Sequence, residues 1–366
     1  IRMILADIVF TWAAQSGLPK AASVALINYL RQAEIEEEAS GKIDNVNLYL
    51  LMALLSALDL SVLHSREDGE EAVQSLPILS DSEYINTMIV ELAPLKPKWK
   101  SEGLQAVATF GLAVCIASLR LIPQNQQFQD AINREEIFID AAIENNVFEF
   151  MHNIILENDI LYKEAFVFKR MHHLLTDFIV YMYPKVKELR IKADEIARTV
   201  QIYTREGLDA PPNLPRYFEY LMLAVAKFYS KDTLNTEYVL SYWSPVELNS
   251  GQYSSQRSTS RAVSLFKFVR LAGDMLPPTL FVPYLTMLSS LSTCPQAARH
   301  CFNMLKQVGP QLTSTLSWDH FFSSFAQYYN NLRQELPPVT DTVYRNTYLK
   351  GVSPQELEGL HAVLLL

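Results

Sequence analysis

Phe218-Glu219-Tyr220-Leu221-Met222-Leu223-Ala224-Val225-Ala226-Lys227-Phe228-Tyr229 places Phe218, Leu221, Met222, Val225, Phe228 and Tyr229 three or four residues apart. On a helix of 3.6 residues per turn that spacing gathers all six on one side, the pattern of an amphipathic α-helix with a buried stripe. Trp318, Phe321, Phe322, Phe325, Tyr328 and Leu332 repeat it near the other end. No segment alternates apolar and polar residues between hairpin turn pairs, so nothing supplies a sheet.

Start and stop signals cut these stripes into helix-sized units. Ser80 with Glu83 and Ser353 with Glu356 have capping-box spacing, and Pro184 and Pro354 sit where a first turn accepts proline. The predicted helices are 1–15, 19–34, 45–63, 81–93, 99–121, 126–145, 147–157, 159–182, 184–206, 214–230, 235–242, 260–275, 280–292, 295–308, 317–335 and 354–366. Short connections make consecutive helices antiparallel neighbours, and helix pairs recurring about every 40 residues resemble HEAT or armadillo stacking. The fold expected is therefore all-α, an α-solenoid of antiparallel helix pairs running continuously over 1–366. A compact multi-helix bundle is the alternative. Segments 65–75 and 249–260, acidic and Ser/Gln/Gly-rich respectively, read as mobile surface loops.

Composition supports an elongated stack. At 366 residues the chain is larger than one core sustains, yet no composition break divides it, and its 49% hydrophobic content is ample for a continuous interior. A net charge of -9 argues against a surface that grips nucleic-acid phosphates. The one basic stretch, Lys96, Lys98, Trp99 and Lys100, is broken by Pro94 and Pro97 and reads as a solvated interhelix loop. Cys115, Cys294 and Cys301 are too few for a disulfide framework, and no Asn-x-Ser/Thr sequon occurs, which favours a reducing compartment. The most apolar run, Ala106 to Leu119, is shorter than the roughly 20 residues of a membrane span and is expected to be a buried helix. Ile1, Leu5, Ile8, Val9 and Trp12 begin the chain at helical spacing, and Val363 to Leu366 end it the same way, so both ends read as cuts through a longer superhelical protein.

Catalytic signatures are missing: there is no Gly-rich phosphate loop, no G-x-S-x-G elbow and no paired CxxC. His172 and His173 are adjacent, so on a helix they diverge by about 100° and cannot face one metal. One is expected to pack between helices and the other to face solvent. Cys294, His300 and Cys301 are the only other cluster of ligand types, and Cys301 lies on a stripe with Leu305 as a small core residue. The runs Glu34 to Glu38 and Glu67 to Glu71 read as solvated faces, the first ending its helix early because its charge opposes the helix dipole. No catalytic residue, cofactor site, metal site or small-molecule substrate is predicted.

Aromatic and proline residues punctuate the last third. Tyr242-Trp243-Ser244-Pro245 follows one helix, and Pro277-Pro278-Thr279-Leu280-Phe281-Val282-Pro283-Tyr284 opens another. Trp243, with Tyr242, Phe281 and Tyr284 as neighbours of the same feature, is the candidate anchor for docking a partner helix or extended peptide. The plainer reading, which is preferred, is that Trp243 and Tyr284 plug gaps between repeats.

These stretches also carry a resemblance. Leu265-Phe266-Lys267-Phe268-Val269-Arg270, Gly273-Asp274-Met275-Leu276-Pro277-Pro278, Pro283-Tyr284-Leu285 and Cys301-Phe302 resemble the large inner-ring scaffold nucleoporins, the nucleoporin 205 (nucleoporin 192) family. Collinear matches extend along the chain: Phe10-Thr11-Trp12-Ala13, Leu51-Met52-Ala53-Leu54-Leu55, Asn146-Val147-Phe148, Ala193-Asp194-Glu195 and His320-Phe321-Phe322. The resemblance implies an N-terminal region of a much longer α-solenoid at the nuclear pore complex of the nuclear envelope. It also implies a scaffold role in nucleocytoplasmic transport, with an adaptor nucleoporin and flexible linker nucleoporins as partners. Phe110-Gly111 is the only Phe-Gly pair, unlike the repeats of the transport barrier. The alternative is a HEAT-type transport receptor binding cargo or a small GTPase, which calls for regular repeats with acidic inner helices; a hydrolase in a helical fold ranks third.

Overall fold

The computed structural model of the chain describes residues 1–35, 41–65, 75–93, 99–122, 125–231, 236–243, 256–306, 316–334 and 354–366. Among them there is no strand, and the architecture is an all-α solenoid. Its main helices are α1 (Arg2–Ser16), α2 (Lys20–Gln32), α3 (Asn45–Ala57), α4 (Tyr84–Glu91), α5 (Glu102–Ser118), α6 (Glu135–Glu144), α7 (Val147–Phe150), α8 (Ala165–Tyr181), α9 (Tyr183–Arg205), α10 (Tyr217–Ser230), α11 (Gln256–Gly273), α12 (Pro278–Leu291), α13 (Pro295–Lys306), α14 (Trp318–Gln334) and α15 (Pro354–Leu365). Single turns such as Ile160–Lys163 and Thr236–Leu240 link some of them.

The most extensive packing joins helices two apart in order, α1 on α3 and α10 on α12, as equivalent helices of successive layers stack in a solenoid. α5 packs chiefly on α6. One connected cluster of buried side chains runs from Ala6 to Ala362. At its centre the rings of Phe110, Phe148 and Phe178 meet with centroids 5.1 to 5.5 Å apart, joining α5, α7 and α8.

α5 shows why burial rather than length settles the membrane question. With the 3-10 turn Leu119–Leu121 it makes a 20-residue helical run that is long and apolar enough to span a bilayer, contrary to the expectation from its core alone, but 83% of its most apolar window is buried against other helices. A helix apolar on every side is stable in water only when surrounded. Ser101 caps it, accepting from the Leu104 amide at 3.2 Å. Asp44 caps α3 in the same way, accepting from Val46 and Asn47 at 2.9 and 3.0 Å.

Several expected elements are corrected. The helix predicted over 126–145 is broken into Asn125–Phe128, Gln129–Ile132 and α6, and that over 159–182 is interrupted at Glu164, which adopts an extended backbone. The predicted capping box at Ser80 and Glu83 does not form. Ser80 donates to its own turn at Pro77, Asp81 accepts from the Glu83 amide at 3.0 Å, and α4 starts only at Tyr84. Ser353 and residues 66–74 and 249–255 lie outside the described residues; of the two expected loops, 256–260 instead opens α11 as helix. Trp99 is buried rather than solvated, and Lys100 pairs with Glu34 at 2.6 Å just beyond the end of α2.

The stripe at the start of the chain is also reversed except at Val9, which is half-buried against the core. Ala6, Phe10 and Ala13 form the buried side of α1, whereas Ile1, Leu5, Ile8 and Trp12 are 51 to 96% exposed on the other. The stripe of α10, by contrast, is buried as predicted, every member being 1% exposed or less.

Candidate docking surface

A cleft of about 430 Å³ opens where α9, α10 and α12 converge. α9 contributes Leu189, Ala193, Ile196 and Val200, whose spacing keeps them on one side of the helix; Pro211, Pro212, Leu214 and Pro215 of the returning loop form the facing wall. Phe218 and Leu280 close the floor. Three of those four wall residues are proline and carry no amide hydrogen, so the wall offers apolar surface rather than a strand edge.

Lys192, Arg216 and Glu219 of the rim are paired locally. Lys192 pairs with Glu188 at 2.7 Å, and the Arg216 Nε donates to Glu219 at 2.7 Å. Hydrogen bonds from Lys185 and Lys192 hold the Glu188 carboxyl below its ordinary range. Arg190, buried within α9, pairs with Asp194 and donates from Nη2 to the Asp274 carbonyl at 2.6 Å. This bond ties α9 to the α11–α12 corner, where Met275 is 87% exposed with φ 41°, a left-handed conformation unusual for a bulky residue. Pro283 lies inside α12 and cannot donate to the carbonyl of Thr279, which lies at the cleft.

None of the four aromatic candidates lines this cleft. Trp243 is 3% exposed; its Nε1 donates to the Leu291 carbonyl at 2.9 Å and its ring lies nearly parallel to that of His300. Tyr242 is fully buried, beside Tyr229 at an Oη–Oη distance of 3.4 Å. Tyr284 is buried and donates to the Val269 carbonyl at 3.2 Å. Burial raises both phenol pKa values. Phe281, half-buried, meets Phe321 edge to face, one residue beyond the floor of the cleft at Leu280.

His172 lies between helices as expected, its Nδ1 2.7 Å from the Tyr229 hydroxyl. His173 is half-buried instead of solvent-facing, and burial brings its pKa down to about 4. All three cysteines are free and buried, and burial pushes the Cys301 thiol up to about 11. Among the described residues no group of three or more His, Cys, Asp or Glu side chains could hold a metal ion.

Comparison with known proteins gives this helical stack a family. The family described as nuclear pore complex scaffold, nucleoporins 186/192/205, matches residues 1–366. The chain belongs to that family. This scaffold nucleoporin segment is similar to nuclear pore complex protein Nup205 of Drosophila melanogaster, 39% identical over 375 residues, and to that of Homo sapiens, 37% identical over 382. Both alignments take in 100% of the chain but only 18% and 19% of the relative, so the segment spans under a fifth of the curated relatives it matches.

In this scaffold nucleoporin segment the cleft is what residue-by-residue reading missed. The proline cluster at 211–215 and the side of α9 opposite it were both visible signals. Their facing each other depends on how the chain folds back between α9 and α10.

Proposed function

We propose that this segment is a continuous scaffold unit over 1–366 that helps build the inner ring of the nuclear pore complex. It offers docking surface to an adaptor nucleoporin and to the short motifs of linker nucleoporins, and supports nucleocytoplasmic transport without chemistry of its own. The observation that carries the docking reading is the cleft between α9 and the Pro211–Pro215 wall, whose lining is mostly apolar while Lys192, Arg216 and Glu219 at its rim are paired with neighbours. A partner's apolar side chains would enter at no cost in broken ion pairs. The carbonyl of Thr279, which lacks its usual helical donor because of Pro283, would accept one hydrogen bond from the partner.

In this reading Trp243, Tyr242 and Tyr284 act from behind the surface. Trp243 ties α12 and α13 together, Tyr242 packs on α10, Tyr284 joins α12 to α11, and Phe281 extends the floor toward α14. Calorimetric titration of the segment with linker-nucleoporin motif peptides tests the proposal. Micromolar binding that is abolished by Ile196→Glu, with unfolding temperature unchanged, is the expected result. Absence of binding to the well-folded wild type would leave the segment a spacer, and binding indifferent to Ile196→Glu would move the site elsewhere.

A further inference from the structure

α8 is buried along most of its length and touches α3 and α5 of the earlier part of the stack as well as α9 and α11 of the later part, so it is one of the elements that join the two. Its core-facing residues are mostly Val, Phe, Met, Leu and Ile, which pack acceptably in more than one rotation. Two charged side chains interrupt them. Arg170, 6% exposed, pairs with Asp59 beyond the end of α3; Asp177, 3% exposed at its side chain, pairs with Arg261 of α11 at 2.6 Å. Arg261 also donates to Thr176, whose hydroxyl donates to the His172 carbonyl at 2.7 Å.

The spacing is informative. Residues 170 and 177 are seven apart, two helical turns, so both charges emerge from nearly the same side of α8 but reach opposite halves of the stack. A rotation of α8 by one residue position, about 100°, would strand both at once.

Stability does not explain them. Desolvating two ions costs several kcal/mol each, attraction in the interior roughly offsets that, and apolar replacements of similar volume are often neutral or better. The Arg170 Nε is buried here with no hydrogen-bond partner, which adds to the cost.

We infer that the Asp59–Arg170 and Asp177–Arg261 pairs fix the rotation and register of α8, and through it the angle between the two halves of the solenoid, rather than its stability. They form a shape-setting joint in a mostly apolar core, alongside the buried His172–Tyr229 contact of the same helix. Buried polar groups serve this purpose in coiled coils, where one such residue fixes register at a cost in stability.

The test compares the 366-residue chain with a variant in which both pairs become apolar, Asp59→Leu, Arg170→Met, Asp177→Leu and Arg261→Met. Thermal unfolding, small-angle X-ray scattering and amide exchange over 165–181 are read on both. The variant is expected to unfold cooperatively at an equal or higher temperature, with an altered maximum dimension in scattering and at least tenfold faster exchange in α8. Scattering and exchange that superimpose on wild type would overturn the inference. So would a variant that fails to fold or melts far lower, since the pairs would then be stabilisers. As a milder check, Asp177→Leu with Arg261→Met should produce the same change in smaller degree, and an unchanged scattering curve there would also count against the inference.

Discussion

The phenol of Tyr284 fills the space that a side chain on Gly273 would need: a Cβ at 273 would fall 2.4 Å from the Tyr284 oxygen and 2.5 Å from the ring carbon bearing it. α11 therefore ends against α12 at a distance only glycine allows, and the Tyr284 hydrogen bond to Val269 pins the contact. Gly273→Ala should lower stability by about 1–3 kcal/mol, the usual range for overpacking a filled interior. Adding Tyr284→Leu should recover part of the loss, because the clash is with the ring itself. Equal urea midpoints for wild type and Gly273→Ala would show that the ring moves aside freely.

Trp243 carries a larger share of stability, since it fills the interior between the end of Thr236–Leu240 and α12–α13 and satisfies the Leu291 carbonyl. Trp243→Ala should cost about 3–5 kcal/mol. Trp243→Phe should cost less, keeping most of the volume while leaving the carbonyl unpaired. Chemical denaturation followed by circular dichroism separates them; a loss below about 1 kcal/mol for the alanine variant would remove Trp243 from the core.

Mild acid should destabilise the joint at α8. Burial is the main cause lowering the pKa of both His172 and His173, the latter from an ordinary 6.5 to about 4. Below the ordinary value the unfolded chain binds protons that the folded chain refuses, so stability present above pH 6.5 is lost as pH falls toward 4. Each such proton contributes a slope of about 1.4 kcal/mol per pH unit. Asp59 acts in the same sense at lower pH: burial alone would raise its pKa, but Arg170 outweighs burial and holds it down, so its contribution disappears as it protonates. Unfolding temperature should drop steadily between pH 6.5 and 4.5, less steeply in His173→Gln. A flat profile would mean that the histidines are solvated.

The exposed side of α1 should govern self-association. Ile4, Ile8 and Trp12 are 59, 57 and 51% exposed and form a contiguous apolar stripe opposite the packed side. Ile4→Lys with Ile8→Lys should reduce light scattering at high concentration. The change in folding stability should stay within about 0.5 kcal/mol, as for surface substitutions away from packing. Unaltered scattering would show that another surface causes association.

What one stretch of sequence determines is local. The stripe from Phe218 to Tyr229 specified both a helix and its buried side, because a 3.6-residue period and apolar chemistry act within a dozen residues and here agree. The all-α class and most helix positions followed in the same way, and the collinear motifs pointed to the family that comparison shows. Tertiary structure decided what depends on residues distant in sequence. On α1, Ile1, Leu5, Ile8 and Trp12 make as good a stripe as Ala6, Phe10 and Ala13, yet only the smaller side meets α3, so periodicity could not choose between them. Glu164 breaks a predicted helix, and the cleft exists because the chain turns back at 211–215 to face α9. The ion pairs of α8, Asp59–Arg170 and Asp177–Arg261, join residues far apart in the chain. A charge in the sequence announces its cost of burial, but its partner is assigned only when separate layers come within a few ångströms.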